Sequence, residues 1–257
     1  GATRFNLPGQ GIEWLDMHRE SGIKTFSRRG LPTPRWETWK YTKLPVLDSG
    51  LYTSPTEIDA IKDVSQIPSM LPRDETLGKL FFINGFFRSD LSDLIVSQDR
   101  IQLCPISEAI VSQPEMLKSN LSDLSNDNLS PFVALNSAFM ESGIVLRVLP
   151  NVVLKKPIEI IDLTIKTDTP IMRHPRNILV IDEGAEATLI KTHLGCSAKD
   201  CFTNAVTDVS VGRSGKLRLY TVQNNSEGSV HLSTTNINVA SQASFETFSH
   251  PHPATNT

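Results

Sequence analysis

The sequence predicts a mainly β protein that opens with a helical, α+β amino-terminal region, and three observations carry that reading. First, apolar residues from Ile144 onward recur with a period of two, at Ile158 and Ile160, Leu163 and Ile165, Leu217 and Leu219, and Ile237 and Val239, which is the alternation of strands. Second, Ala185-Glu186-Ala187-Thr188-Leu189 recurs as Gly215-Lys216-Leu217-Arg218-Leu219 and as Ala243-Ser244-Phe245-Glu246-Thr247, with starts 30 and then 28 residues apart. A small corner residue followed by in-out alternation at a steady interval suits a β-solenoid, whose coils stack their inward side chains; a β-sandwich built from similar segments is the competing architecture. Third, the chain changes character along its length, from helix-like and loop-rich segments to short alternating strands.

Taken in order, Ile12, Leu15, Arg19, Ile23 and Phe26 form the stripe of an amphipathic helix that Gly30 ends before Leu31-Pro32. Residues 30–44 read GLPTPRWETWKYTKL. Pro32 and Pro34 fix the entry angle of this segment, Thr33 can cap a short turn begun by Pro34, and Trp36, Trp39 and Tyr41 require cover. Packing within the amino-terminal region is the expected role of the two tryptophans. Ser54-Pro55-Thr56-Glu57 and Ser112-Gln113-Pro114-Glu115 have the layout of capping boxes that open helices. Between them, Leu80-Phe81-Phe82-Ile83 and Phe86-Phe87 flank Asn84-Gly85, the pair suited to a type I′ hairpin turn. Another helix is expected from Ser130-Pro131, with Phe132, Leu135 and Phe139 on one side.

Composition narrows the function. A net charge of -3 over 257 residues, with no block of lysine and arginine, gives no attraction to nucleic acid or to anionic membrane. The apolar runs, such as residues 178–181, are far shorter than the roughly 20 residues needed to cross a bilayer, and the amino terminus lacks a basic-then-apolar signal layout. A cytoplasmic protein is expected. Cys104, Cys196 and Cys201 are an odd set, too sparse for a disulfide framework.

Conventional catalytic patterns are thin. Gly212-Arg213-Ser214-Gly215-Lys216 has the lysine of a phosphate loop but its glycines stand too close, so it reads as a solenoid turn. The serines of residues 119–130 read as caps and turns. Asp182-Glu183 pairs two carboxylates, but adjacent strand residues face opposite ways, which argues against joint acid–base work. His193-x-x-Cys196 with Cys201 offers an imidazole and two thiols that iron or zinc would accept, yet the spacing fits no zinc template, and free thiols on a loop between strands are the simpler reading. His250 and His252 belong to a mobile tail, while His174 and His231 read as packed or hydrogen-bonded residues. No catalytic, cofactor-binding or metal-binding residue is assigned.

The residue 31–44 run resembles the amino-terminal signature of the SufD branch of the SufB/SufD family, scaffold subunits of the SUF iron–sulfur cluster assembly system. Further resemblance lies in Phe81-Phe82-Ile83-Asn84-Gly85-Phe86-Phe87 leading to Asp90-Leu91-Ser92-Asp93-Leu94, then Pro131-Phe132-Val133-Ala134-Leu135-Asn136, Pro175-Arg176-Asn177-Ile178, and Leu217-Arg218-Leu219-Tyr220-Thr221-Val222-Gln223, in the family's order. The resemblance implies a right-handed parallel β-helix core, here incomplete, with residues 1–140 as the amino-terminal region and 141–257 as the first coils. It implies a non-enzymatic scaffold that pairs with SufB through the core, in a complex driven by the SufC ATPase, where an iron–sulfur cluster or iron is held transiently. Family members continue into further coils and a carboxy-terminal helical domain that docks SufC, so a truncated chain without that docking region is expected. The alternatives are the paralogous SufB scaffold and a β-helix enzyme acting on a polysaccharide, for which the strand region has few aromatics (Phe202, Tyr220, Phe245, Phe248) and no row of carboxylates.

Overall fold

The computed structural model describes residues 7–33, 36–40, 52–56, 76–94, 99–126, 129–196, 201–224 and 229–251. Helix α1 (Glu13–Arg29) ends at Gly30, whose N–H returns to Phe26 O at 2.8 Å. Its buried line runs through Leu15, Arg19, Gly22 and Thr25, while Ile12, Ile23 and Phe26 of the expected stripe are only half-buried. The cause is a close helix crossing. A Cβ on Gly22 would lie 2.8 Å from Ala134 O and 2.9 Å from Ala138 N, so the contact line passes through the smallest residue rather than the most apolar ones. Arg19 is buried there because its guanidinium donates to Pro8 O at 2.6 Å.

A 3-10 turn at Glu37–Trp39 follows. Strand β1 (Gly78–Ile83) then turns through Asn84 and Gly85 into β2 (Phe86–Phe87). Both turn residues have positive φ, 48° and 92°, the combination a type I′ turn requires, and Ile83 pairs with Phe86 as the motif predicts. Strand β3 (Asp93–Leu94) pairs antiparallel with β1. Strand β4 (Ile101–Pro105) leads into α2 (Ile106–Ser112) and α3 (Pro114–Asn120). Here one expectation fails: Pro114 does occupy the first turn of α3, but the capping residue is Gln113, with no side-chain cap. Ser112 instead closes α2 and donates its hydroxyl to Glu108 O at 3.0 Å, so no capping box forms. Helix α4 (Pro131–Phe139) starts as expected, with Ser130 Oγ accepting from Phe132 N. The helix predicted after Ser54 lies outside the described residues.

The remaining strands are β5 (Ile144–Val148), β6 (Ile158–Ile165), β7 (Ile171–Arg173), β8 (Arg176–Ile181), β9 (Glu186–Cys196), β10 (Cys201–Val211), β11 (Lys216–Asn224), β12 (Val230–Val239) and β13 (Ser244–Pro251). They alternate between two sheets, one ordered β13-β11-β9-β6-β1-β2 with β3 against β1, the other β12-β10-β8-β5-β4 with β7 beside β10. Neighbouring coils pair in parallel, which sets aside the sandwich and makes the core a parallel β-solenoid of about three turns. The repeat read from the sequence is the register itself. Glu186, Lys216 and Ser244 stand side by side, as do Leu189, Leu219 and Thr247. Strands β1 and β4 of the amino-terminal half extend the two solenoid sheets.

Inward residues fill one side of the coil interior with apolar packing, including Leu80, Ile158, Leu179, Leu189, Val209 and Leu219. The helices cover the outer face of the second sheet through Leu15, Ile106, Ile110, Val145 and Ile178, and through Phe132, Leu135 and Phe202. Ile237 and Val239, although inward by register, are about half exposed on β12, at 49% and 47%.

Candidate functional site

Each long strand changes character along its length. On β6 the inward series runs Ile158, Ile160, Asp162, Thr164, and on β9 it runs Ala187, Leu189, Lys191, His193, with Ile160 beside Lys191 and Asp162 beside His193. The facing sheet does the same, passing from Val211 and Val209 to Thr207, Thr203 and Cys201 on β10, with Thr203 flanked by Arg173 and His231. The solenoid interior is therefore apolar at one end of every coil and polar at the other.

The polar half is held by bonds across the two sheets. Arg173, only 1% exposed, donates from Nη2 to Asp162 Oδ1 at 2.6 Å and from Nη1 to Thr164 Oγ1 at 2.9 Å. Lys191 Nζ donates to Thr207 Oγ1 at 3.1 Å. His193 Nδ1 lies 3.5 Å from Asp162 Oδ2, and its ring is 4.4 Å from that of His231. Glu141 accepts from the His174 N–H with both carboxylate oxygens, at 2.8 and 2.9 Å. A cavity of about 20 Å³ lined in part by Asp162, Arg173, Asn177, Lys191 and His193 adjoins these groups, room for about one water molecule.

Burial sets the electrostatics, since a charge moved away from water is disfavoured unless paired. Burial would raise the pKa of Asp162, but the Arg173 guanidinium and the bond from His193 override it and hold the carboxyl well below the usual carboxylate range. Burial pushes Glu141 up to about 7 against the pull of the His174 N–H and Arg173. It brings Lys191 down to about 8 and keeps His193 and His231 neutral. Burial raises the Cys201 thiol, with Arg173 opposing, and pushes Cys104 up to about 11. Both thiols are thus protonated near neutral pH, and the cluster offers neutral imidazoles rather than an activated nucleophile.

A second polar cluster joins the helices to the outer face of the sheet. Arg176, fully buried, donates from Nε to Asp208 Oδ2 at 2.7 Å and from its other nitrogens to Asn136, Ser137 and Ser122. Asn136 Nδ2 donates to Pro175 O and Asn204 O at 2.9 and 2.8 Å, pinning α4 to β10.

The residues singled out in the sequence fall out as follows. His193 and Cys201 lie on β9 and β10, inside the solenoid rather than on a loop. The side chain of Cys196 and residues 197–200 lie outside the described residues. Among the described residues no three His, Cys, Asp or Glu side chains converge on a metal position. His174 is packed and bonded as expected, through Nδ1 to Asn204 Nδ2 at 3.2 Å. His231 packs on His193, but its Nε2 has no hydrogen-bond partner. Asp182 and Glu183 go to separate arginines, Arg147 at 2.9 Å and Arg213 at 3.0 Å. Residues 212–215 form the turn between β10 and β11. Ser122 departs from its expected turn role by joining the Arg176 cluster. His250 is exposed on β13, and His252 lies outside the described residues. Asp162, Arg173, Lys191 and Asp208 were not singled out in the sequence, and Arg176 entered only within a family-like stretch; their signal is a charged residue at an inward or helix-covered position of an otherwise apolar alternation.

Trp39 is half-buried with its ring 5.2 Å from Phe132, and Trp36 lies under the Arg29 guanidinium at 6.0 Å. On the outer face of the first sheet, Tyr220 and Phe248 stack at 5.1 Å, while the nearby carboxylates Glu186 and Glu246 are paired with Lys216 and Arg218.

Comparison with known proteins agrees with this architecture. The family model for the SufBD protein N-terminal region matches residues 6–160, and that for the SufBD core domain of SUF-system FeS cluster assembly matches residues 164–252. An iron–sulfur cluster assembly SufBD family protein of Synechocystis sp. is 27% identical over 224 residues, covering 84% of this chain and 49% of the relative. A chloroplastic SufBD family protein of Arabidopsis thaliana is 23% identical over 230 residues, covering 82% and 40%. The chain spans about half the length, or less, of these curated relatives. With more than half of its residues matched by one family model and most of the rest by its companion, the chain belongs to the SufBD family of iron–sulfur cluster assembly proteins.

Proposed function

We propose that this chain is a non-enzymatic scaffold of the SUF iron–sulfur cluster assembly complex, of the SufD type, which pairs with SufB in a complex driven by the SufC ATPase. The observation that carries the SufD assignment is the Leu-Pro-Thr-Pro-Arg-Trp run ahead of Trp39-Lys40-Tyr41, a feature of SufD rather than SufB openings. In this reading residues 1–140 and 141–257 act as amino-terminal and core units, the cytoplasm is the compartment, and the cluster is transient cargo of the complex.

Co-expression with SufB tests the reading. The expected result is a one-to-one complex on size exclusion. Failure to retain SufB, where an authentic SufD retains it, sinks the SufD assignment. Cleavage of pectate-type polymers by the purified chain would replace the scaffold reading with the enzymatic one.

A further inference from the structure

Two imidazole nitrogens inside the solenoid have nothing to bond: Nε2 of His193 and Nε2 of His231, both buried. A buried polar atom without a partner is costly, and such atoms point to an ion or water that completes them. The two rings come from opposite sheets, β9 and β12, and stand 4.4 Å apart. Asp162 Oδ2 lies 3.5 Å from His193 Nδ1, which places the ring proton on Nδ1 and leaves the Nε2 lone pair free. This carboxylate–imidazole order is the outer support that metal-bound histidines use.

We propose that His193 and His231 are the protein ligands of one divalent first-row transition-metal ion bound between the two solenoid sheets. With metal–nitrogen bonds of about 2.1 Å, rings this close meet a shared ion at about 90°. That cis angle is nearer to square-planar or octahedral than to tetrahedral coordination, and it disfavours a linear, two-coordinate monovalent ion. Neutral imidazole is a good ligand for zinc, cobalt, nickel and iron. The open positions fall to water, for which the adjoining cavity has room, and to Gln223, which stands beside His193 in register on β11. Asp162, 3.5 Å from His193 Nδ1, supplies a carboxylate beside the two rings. The inference stands on these side chains and does not depend on the assembly role.

Cobalt(II) titration of the metal-free 257-residue chain is the test. One saturable equivalent is expected, with ligand-field absorption, no thiolate-to-cobalt charge transfer, displacement by zinc and a higher melting temperature in its presence. His193→Gln and His231→Gln should each weaken binding at least about tenfold, the loss of roughly 1.4 kcal/mol or more, whereas His250→Gln should leave it unchanged. A thiolate band, full binding by both variants, or no saturable binding by the folded chain would overturn the proposal. If either variant fails to fold, X-ray absorption of the zinc-loaded parent decides, with nitrogen scatterers supporting the site and a sulfur shell refuting it.

Discussion

Arg173 on β7 and Asp162 on β6 face each other across the solenoid interior, Nη2 to Oδ1 at 2.6 Å, with exposures of 1% and 11% for their side chains. Removing one partner of such a pair leaves a charge without compensation in a low-dielectric interior. Arg173→Met should therefore cost about 3–5 kcal/mol in urea unfolding, and adding Asp162→Asn should restore part of it. A loss below about 1 kcal/mol, the range of exposed pairs, would mean that solvent reaches the pair.

Helices α1 and α4 meet at Gly22, where a side chain has no room. Gly22→Leu should push the helices apart and cost about 1–3 kcal/mol, as overpacking does. The same change at the exposed Ser21 should be nearly neutral. Equal melting temperatures for the two variants would refute the close crossing.

The two tryptophans should behave differently. Trp39 rests on the buried Phe132 ring, so Trp39→Ala should cost about 2–3 kcal/mol, below the full-burial value because the ring is half-exposed. Trp36 has a cation–π neighbour in Arg29, worth about 0.5–1 kcal/mol at an exposed site, and Trp36→Ala should cost correspondingly less. If Trp36→Ala melts like the parent yet loses SufB in a pull-down, the residue 31–44 signature is an interface rather than packing.

Glu141 and His174 should set opposing pH dependences. Glu141 moves from 4.5 to about 7 on folding, so the folded state holds the extra proton and stability falls as pH rises through that window. His174 moves from 6.5 to about 3 because it is buried; the unfolded state takes up the proton, and stability falls as pH drops below 6.5. Between pH 4.5 and 6.5 the two offset one another, each limited to about 1.4 kcal/mol per pH unit. Glu141→Gln should remove the offset and steepen the acid loss beginning near pH 6.5, read by urea midpoints across that range. Parallel profiles for parent and variant would show that Glu141 is not held protonated.

What the sequence determined by itself was local or periodic. Asn84-Gly85 dictated its turn because positive φ is a property of those two residues, and Ser130-Pro131 dictated a helix start. The interval of 30 and then 28 residues disclosed the stacking of Lys216 on Glu186 and of Ser244 on Lys216, since every coil must return to the same place. The residue 31–44 run carried the family resemblance. The polar interior was not legible in the same way. His193, Cys196 and Cys201 are neighbours in the chain, and proximity along the chain is all that groups them in the sequence. The partners of His193 come instead from Asp162 one coil back and His231 on the facing sheet. Likewise Ser122 meets Asp208 at 2.5 Å across 86 residues of chain. Only the tertiary structure decided these contacts, because stacking coils and docking helices bring together side chains whose pairing depends on face and register, neither of which proximity in sequence encodes.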